Sequence, residues 1–259
     1  MEVVPLASAD EVAALAADTI EALVRARPSA VLGLATGSSP VATYAELVAR
    51  HRAGTGPSYD EVRAFLLDEY VGLPPGHPQS YRATNARELT DDLGLPADRV
   101  HGPDPTDVPT AGAAYEAQLA EAGGVDLQVL GIGSDGHLAF NEPGSSLSST
   151  TRIKTLTEQT RHDNARFFGS LDEVPHHVLT QGLGTILRAR HLVLIATDAG
   201  KAEAIAAAVE GPLTASCPAS VLQLHAHVTV LLNPRAASRL DRADHYREVY
   251  AAKPDWQGL

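Results

Sequence analysis

The sequence predicts an α/β fold with a doubly wound, mostly parallel sheet. Short runs of consecutive apolar residues alternate along the chain with segments of helical spacing. A run that is apolar without alternation is typical of a strand covered on both faces by helices. With 259 residues, 44% of them hydrophobic, we expect one domain, residues 1–259, around a substantial core. The predicted strands are 30–35, 62–67, 127–130, 191–196 and 228–232.

Helices are predicted between the strands from 3.6-residue apolar spacing and from capping residues. Serine or aspartate before such a segment can cap it, and proline fits its first position. Turn-rich stretches, among them 92–110, separate the remaining elements. The predicted helices are 9–27 with Ser8 or Asp10 as cap, 41–52 with Ser39 as N-cap and Pro40 as first helical residue, 81–91, 110–122, 178–188, 201–210 and 235–251.

Residues 144–177 fit neither periodicity. They are rich in serine and threonine at first and charged afterwards. A long irregular segment in a compact domain is often a lid or a binding loop, and we predict one here, although such a run of charges is usually a solvated face. Arg166, followed by Phe167-Phe168, is the best candidate for a semi-buried anion clamp. The basic residues of the segment are Arg152, Lys154, Arg161 and Arg166.

Composition argues against several classes of function. The formal net charge is −12, which disfavours nucleic acid and anionic membranes as partners. Cys217 is the only cysteine, so no intrachain disulfide can form, as expected in a reducing compartment. No apolar stretch approaches the ~20 residues that span a bilayer, and the N-terminal sequence lacks a signal peptide. Cys/His clusters at zinc spacing are also absent, so we expect no structural metal. The single cysteine and the lack of a signal peptide predict a cytoplasmic protein.

Two positions suit an anion. Thr36-Gly37-Ser38-Ser39 lies between a strand and a helix N-terminus, where amides and hydroxyls can bind phosphate. An ordinary capped turn fits this segment equally well. No Walker lysine follows, which disfavours a nucleoside triphosphate. Lys201 is at the start of a predicted helix, where the helix dipole disfavours a positive charge. It either binds an anion there or is an ordinary solvated lysine.

Titratable residues follow two of the predicted strands. Asp68 and Glu69 come after 62–67, and Asp135, His137 and Glu142 come after 127–130. Active sites of open α/β sheets lie at the carboxyl ends of strands. A carboxylate beside an imidazole fixes its tautomer and suits proton transfer near neutral pH. Adjacent residues point in different directions, so at most one of Asp68 and Glu69 faces a substrate.

The glycines 131, 133 and 136 match the dinucleotide-binding fingerprint, but the context does not. A long helix should follow the fingerprint, whereas Pro143-Gly144 stops any helix quickly. We therefore interpret the match as accidental, with the glycines exposing Asp135 and His137. A metal site is the weaker alternative because three ligands would come from one short turn. A surface loop with a single histidine is the other alternative.

Together these segments resemble the glucosamine-6-phosphate deaminase family. They occur in family order and span nearly the whole chain, and the segments 68–73 and 133–143 are the most specific. The matching segments are Leu34-Ala35-Thr36-Gly37-Ser38-Ser39-Pro40, Asp68-Glu69-Tyr70-Val71-Gly72-Leu73, Gly133-Ser134-Asp135-Gly136-His137-Leu138-Ala139-Phe140-Asn141-Glu142-Pro143, Thr151-Arg152-Ile153-Lys154-Thr155-Leu156 and Val221-Leu222-Gln223-Leu224-His225.

The resemblance implies an αβα sandwich of the ribose-5-phosphate isomerase and CoA transferase type. It implies conversion of glucosamine 6-phosphate and water to fructose 6-phosphate and ammonia, with neither a metal nor an organic cofactor. Asp68 would be the base that moves the C2 proton. His137 would assist ring opening, with Asp135 and Glu142 orienting it. The residues expected to bind the 6-phosphate are Thr36, Gly37, Ser38, Ser39, Arg166 and Lys201.

Some bacterial members of this family are allosteric hexamers. In those, residues matching Arg152 and Lys154 bind the phosphate of an activator at a subunit interface. The C-terminal region departs from the allosteric pattern, and Tyr246 is the candidate for the expected aromatic partner. The resemblance therefore leaves the oligomeric state open between monomer and hexamer.

Three other functions compete with this interpretation. A 6-phosphogluconolactonase shares the fold and a similar Asp-Gly-His turn, but would not need Asp68 or the segment 140–143. A second alternative is a sugar phosphate isomerase without deamination. The third is a sugar-phosphate-sensing domain, which usually accompanies a DNA-binding segment. The acidic chain has no basic helix-turn-helix region, so catalysis is favoured over sensing.

Overall fold

Strands and helices alternate along most of the chain, as the apolar pattern predicts. The computed structural model describes residues 1–254 and 256–259. The strands are β1 (Glu2–Pro5), β2 (Val31–Leu34), β3 (Arg63–Leu66), β4 (Asp68–Val71), β5 (Val100–His101), β6 (Leu127–Leu130), β7 (Arg152–Thr155), β8 (His177–Thr180), β9 (His191–Ala196) and β10 (Val228–Leu232). The α-helices are α1 (Ala9–Ala26), α2 (Val41–Arg52), α3 (Tyr81–Asn85), α4 (Val108–Glu121), α5 (Glu158–Asn164), α6 (Leu183–Ile186), α7 (Ala202–Val209) and α8 (Ala243–Ala251).

Seven strands form a parallel sheet in the order β1-β10-β9-β6-β2-β3-β5. The chain runs from β2 towards β3 and β5 on one side, and from β6 towards β9 and β10 on the other. The connections therefore diverge between β2 and β6. In open α/β sheets this switch point leaves a crevice at the carboxyl ends of the two strands. All residues of β2 and β6 are buried, so the crevice lies directly on the packed core of the sheet.

A second, antiparallel sheet has the order β4-β8-β7. A single residue, Leu67, separates β3 from β4, so the chain passes directly from the large sheet into the small one. Asp68 pairs with Thr180, which also pairs with Arg152 on the far side. The small sheet thus fixes Asp68 at the rim of the crevice.

The structure confirms the predicted mostly parallel α/β fold and the five predicted strands. It confirms the first helix as well, because the side chain of Ser8 caps it by accepting from the amide of Glu11 at 3.1 Å. The prediction that Ser39 caps α2 is wrong. Pro40 occupies that position, and the Ser39 hydroxyl faces Gly131, where an added Cβ would lie 3.1 Å from it.

The small sheet was not expected from the sequence. Residues 144–177 are not irregular throughout, because they contain β7 and α5. The predicted helix 178–188 begins instead as strand β8 and contains only the four-residue α6. Short apolar runs such as His177–Thr180 do not distinguish helix from strand by periodicity alone.

Smaller errors occur at the two ends of the chain. Strand β1 was not predicted, although it pairs with β10 along four residues. The C-terminal helix begins at Ala243 instead of 235. These segments lie at one edge of the sheet and do not contribute to the crevice between β2 and β6.

Candidate active site

A cleft of about 450 Å³ opens at the carboxyl ends of β2 and β6. This volume is within the roughly 300–1,000 Å³ that is typical of small-molecule sites. It brings together residues that lie far apart in the sequence, from the turn after β2 to the start of α7. The predicted site residues that line it are Thr36, Gly37, Ser38, Ser39, Asp68, His137, Arg166 and Lys201.

Asp68 is the buried carboxylate of the cleft. Only 6% of it is exposed, and its Oδ1 has no hydrogen-bond partner among the described residues. Burial raises the pKa of Asp68 to about 7, although the Thr180 hydroxyl, the Phe140 amide and His137 lower it and Glu69 raises it. Neither Thr180 nor Phe140 makes a well-aligned bond to Oδ1, so burial remains the dominant influence. A carboxylate with this pKa can accept a proton near neutral pH.

Asp135 and His137 form a pair at the mouth of the cleft. The Nδ1 atom of His137 lies 2.6 Å from Oδ1 of Asp135, and the His137 amide donates to the same oxygen at 3.1 Å. The ring N–H is poorly aligned with that oxygen, so the contact is mainly electrostatic. Partial burial favours a higher pKa for Asp135, but the side chain and amide of His137 hold this pKa below its usual value.

The loop that carries this pair is packed from behind. Gly136 has a φ of 84°, and an added Cβ there would lie 2.7 Å from Sγ of Cys217. Its carbonyl accepts from the amide of Ala219 at 2.8 Å. Asn141 donates from Nδ2 to Leu138 at 3.0 Å. Among the described residues, the first helix after Gly136 is α5, which begins only at Glu158, and this agrees with the interpretation of the glycine pattern as an accidental match.

Glu142 lies in the loop before β7 and is buried against the start of α5. Its Oε1 accepts from the Thr157 hydroxyl at 2.8 Å, from the Thr157 amide at 3.3 Å and from the Thr160 hydroxyl. Glu142 and His137, both well within the described residues, form no ion pair, and Glu142 does not line the cleft. The structure therefore brings Asp135 to His137 and ties Glu142 to the segment that leads to Arg166.

The anion-binding candidates meet at one end of the cleft. Gly37, with φ of 92°, turns the segment 36–39 so that its backbone borders the cleft. Lys201 ends a 3₁₀ turn and is partly buried. Burial lowers the pKa of Lys201, whereas Asp198, Asp135 and Asp163 raise it.

Arg166 lies across this end of the cleft, where its positive charge lowers the pKa of Lys201. The side chain is exposed instead of semi-buried, which corrects the prediction. Its guanidinium carbon lies 4.7 Å from the centre of the Phe167 ring, itself 43% exposed. The open position follows from the short 3₁₀ turn Ala165–Phe167, which leaves the segment on the surface.

Arg152 and Lys154 lie outside the cleft. They are alternate residues of β7 and therefore share one face of the small sheet. Arg152 donates to the carbonyl of Thr150 at 3.2 Å, and Lys154 to the hydroxyl of Ser145 at 3.4 Å. Their separation from the cleft is compatible with a second site, but not with a direct role in catalysis.

Several residues of the cleft were missed from the sequence. Tyr81, Thr84 and Glu88 line one wall, on α3 and the π-helical turn Ala86–Thr90 that follows it. Their spacing of three and seven residues places them on one helical face, and this signal is visible in the sequence. Tyr70 also lines the cleft, but nothing in the sequence separates it from a core aromatic residue.

Two further observations concern metals and membranes. Within residues 1–254 and 256–259, no group of three or more His, Cys, Asp or Glu side chains is arranged to hold a metal ion. In the same part of the chain, no helix combines the length and apolar character needed to cross a membrane.

A doubly wound sheet with acid–base residues and an anion-binding turn in one crevice is typical of enzymes that act on small phosphorylated molecules. The chain belongs to the family described as glucosamine-6-phosphate isomerases/6-phosphogluconolactonase, whose model matches residues 5–231.

Relatives of this chain match along its full length. A glucosamine-6-phosphate deaminase from Arthrobacter sp. (strain FB24) is 61% identical over 261 residues, covering 100% of both chains. One from Mycolicibacterium smegmatis is 59% identical over 262 residues, again with full coverage of both.

Solved structures agree with the family assignment. A monomeric glucosamine-6-phosphate deaminase, 38% identical, superposes with a TM-score of 0.89 and covers 92% of this chain and 100% of its own. The 6-phosphogluconolactonase of Trypanosoma brucei is 23% identical, with a TM-score of 0.75 over 92% of this chain and 98% of its own. At this identity the second similarity supports the fold alone.

Proposed function

We propose that this protein is a glucosamine-6-phosphate deaminase, which converts glucosamine 6-phosphate and water to fructose 6-phosphate and ammonia in the cytoplasm, without a cofactor. The observation that carries the proposal is the buried carboxylate of Asp68, with a pKa of about 7, in one cleft with His137 and the turn 36–39. The deaminases at about 60% identity along the whole chain support it.

The substrate is bound through its phosphate in this proposal. The turn 36–39, Lys201 and Arg166 bind the 6-phosphate, far from the reacting carbons. Binding energy at a remote group fixes the orientation of the rest of the molecule and brings C1 and C2 to the acid–base residues. Arg166 and Lys201 supply the positive charge for an anion at this end of the cleft.

Catalysis begins with opening of the pyranose ring. His137, held by Asp135, takes the proton of the C1 hydroxyl and returns one to the ring oxygen. Asp68 then takes the proton from C2 and delivers it to C1 through an enolamine, as the carboxylate base of triose phosphate isomerisation does between neighbouring carbons. Water adds to the resulting C2 imine, which releases ammonia and leaves the ketone of fructose 6-phosphate.

Glu142 supports this arrangement from the α5 side. Its bonds to Thr157 and Thr160 fix the start of the segment that carries Arg166. We therefore assign Glu142 to the alignment of the residues that cover the cleft, next to the orienting role towards His137 that the resemblance implies. Movement of residues 144–177 as a lid belongs to the same proposal.

Lys201 provides the first quantitative test. We expect Lys201→Ala to raise KM for glucosamine 6-phosphate about 10- to 100-fold, which corresponds to the roughly 1.5–3 kcal/mol of a hydrogen bond to a charged group. The matched control is Lys253→Ala, since Lys253 pairs with Glu2 outside the cleft. Steady-state ammonia release measures both. An unchanged KM in Lys201→Ala would place the phosphate elsewhere.

The hypothesis of allosteric activation has a separate test. If Arg152 and Lys154 bind an activator, the saturation curve of the wild type is sigmoidal and becomes hyperbolic with N-acetylglucosamine 6-phosphate. Arg152→Ala then abolishes the response to the activator. A hyperbolic wild-type curve that does not change when the activator is added contradicts the hypothesis. Sedimentation of the same sample shows whether the chain is monomeric or hexameric.

A further inference from the structure

Glu69, next to the candidate base, points away from the cleft and is nevertheless buried. Strand β4 places Asp68 and Tyr70 at the cleft, whereas Glu69 lies on the opposite face and is only 6% exposed. A buried carboxylate is costly unless it is well hydrogen-bonded. Its contacts therefore indicate what the residue does.

The Glu69 carboxylate accepts three backbone N–H groups. Oε1 accepts from the amides of Tyr70 and Tyr81, both at 2.9 Å, and Oε2 accepts from the amide of Arg82 at 3.0 Å. Charge-assisted bonds of this kind are the stronger ones in proteins. They join β4 to the first turn of α3 across the Pro- and Gly-rich loop 72–80, which has no strand or helix of its own.

The residue held in this way is Tyr81. Its ring stacks on Tyr70 with centroids 4.7 Å apart and planes 21° apart, and its hydroxyl donates to that of Tyr70 at 3.1 Å. Phe140 packs against both rings. The three aromatic side chains line the cleft together with Asp68, of which only 6% is exposed.

We propose that Glu69 is a positioning residue for the base: its carboxylate fixes the start of α3 and so holds the wall of Tyr70, Tyr81 and Phe140 against Asp68. The inference rests on the proposed role of Asp68. Without the three amide bonds the loop 72–80 is free to move Tyr81 outwards, and water then reaches the carboxylate of Asp68. A hydrated carboxylate has a lower pKa and is a weaker base.

Other groups also face Asp68 and have to be held constant. His137 lowers its pKa and Glu69 itself raises it by charge. Burial raises the pKa of the hydroxyls of Tyr70, Tyr81 and Tyr115, and the charge of Asp68 raises it further. A test must therefore separate the charge of Glu69 from its contacts with α3.

Two substitutions make this separation. Glu69→Asp keeps the charge but is too short to reach the amides of α3. Glu69→Gln keeps the shape but loses the charge and presents an NH₂ group to the Arg82 amide. We expect the acid limb of kcat/KM to move to lower pH in both variants by about one pH unit, a fraction of the roughly 3–5 units that full burial can cause.

Tyr81 provides the matched comparison. Tyr81→Ala is expected to reproduce the shift, and Tyr81→Phe, which keeps the ring, is expected to leave the limb near its wild-type position. Combining Glu69→Asp with Tyr81→Ala adds no further shift if the two act together. Circular dichroism verifies folding. Should Glu69→Gln not fold, Glu69→Asp together with Tyr81→Ala still decides the matter.

The outcomes separate this inference from the proposed function. A shift in Glu69→Gln alone would mean that only the charge matters, and additive shifts in the double variant would mean independent action; either result overturns the inference. An unchanged limb in Glu69→Asp overturns it as well. None of these results affects the proposed function, which fails if the folded wild-type protein releases no ammonia from glucosamine 6-phosphate.

Discussion

Asp68→Asn is expected to lower kcat for ammonia release from glucosamine 6-phosphate by about 10²–10⁴-fold, the usual contribution of a general base. The amide has nearly the same shape but cannot accept the C2 proton. Because the pKa of Asp68 is about 7, kcat/KM of the wild type should also fall as pH drops below 7. Initial rates between pH 5 and 9 measure both effects.

The same substitution is expected to stabilise the protein at neutral and alkaline pH. The pKa of Asp68 rises from 3.8 to about 7 on folding, so the folded state keeps a proton that the unfolded state loses between these values. Stability therefore falls as pH rises through this window. Three pKa units correspond to about 4 kcal/mol. Above pH 7 the Asp68→Asn variant avoids this cost. The net gain in stability is reduced by the cost of burying the unpaired amide group.

Thermal unfolding at pH 4 and pH 8 shows whether this sign is right. Asp68→Asn should melt higher than the wild type at pH 8, with a much smaller gain at pH 4. The exposed Asp60 gives the matched control, since Asp60→Asn should change neither activity nor the pH dependence of melting. An Asp68→Asn protein that releases ammonia at the wild-type rate would remove Asp68 from the mechanism.

The second large effect is expected at the imidazole. His137→Asn should lower kcat about 10²-fold or more, because ring opening then lacks its proton carrier. Asp135→Asn should cause a smaller loss, since Asp135 acts through its 2.6 Å contact with Nδ1 of His137. The double variant should be no worse than His137→Asn alone, because the two residues work as one unit.

Another histidine serves as the control for this series. His245 is exposed on α8, and His245→Asn should keep the wild-type rate. Rates of the Asp135 and His137 single variants that multiply in the double variant would show that the two residues act separately. Wild-type activity in His137→Asn would move the ring-opening step to another group or to solvent.

The parallel sheet and part of the site were predictable because both depend on local patterns. Strands β2, β3, β6, β9 and β10 are short, mostly apolar runs bounded by turn residues, and this pattern is typical of buried strands. Asp68 stands out because it follows such a run directly, and His137 because it lies in the glycine-rich turn that follows another. The sequence thus indicates which strand ends carry chemistry before any contact is known.

The small sheet and the wall of the cleft could not be predicted in the same way. Strand β7 alternates half-buried and exposed residues within a polar segment, and β8 runs into a glycine-rich stretch. Strand β8 pairs with β4, which lies more than 100 residues away in the sequence, and β7 joins the sheet only through its pairing with β8. The function of Glu69 is likewise invisible in the sequence, because it depends on amides 12 and 13 residues away.

The assignment of Glu142 shows a different limit. Its place in the Asp-Gly-His segment indicates a role beside His137, yet its Oε1 is bound by Thr157 and Thr160. Proximity along the chain fixes neither the side-chain direction nor the partner of a buried carboxylate. Only the path of α5, set by tertiary packing, reveals the contact.

The most direct test of the central claim compares two substrates with the wild-type protein. Glucosamine 6-phosphate and 6-phosphogluconolactone are incubated with it separately, in the presence of EDTA, and ammonia, fructose 6-phosphate and lactone hydrolysis are measured. The account predicts equal amounts of ammonia and fructose 6-phosphate from the first substrate, and no hydrolysis of the second above the spontaneous rate. Lactone hydrolysis without ammonia release, by a folded protein, would contradict it.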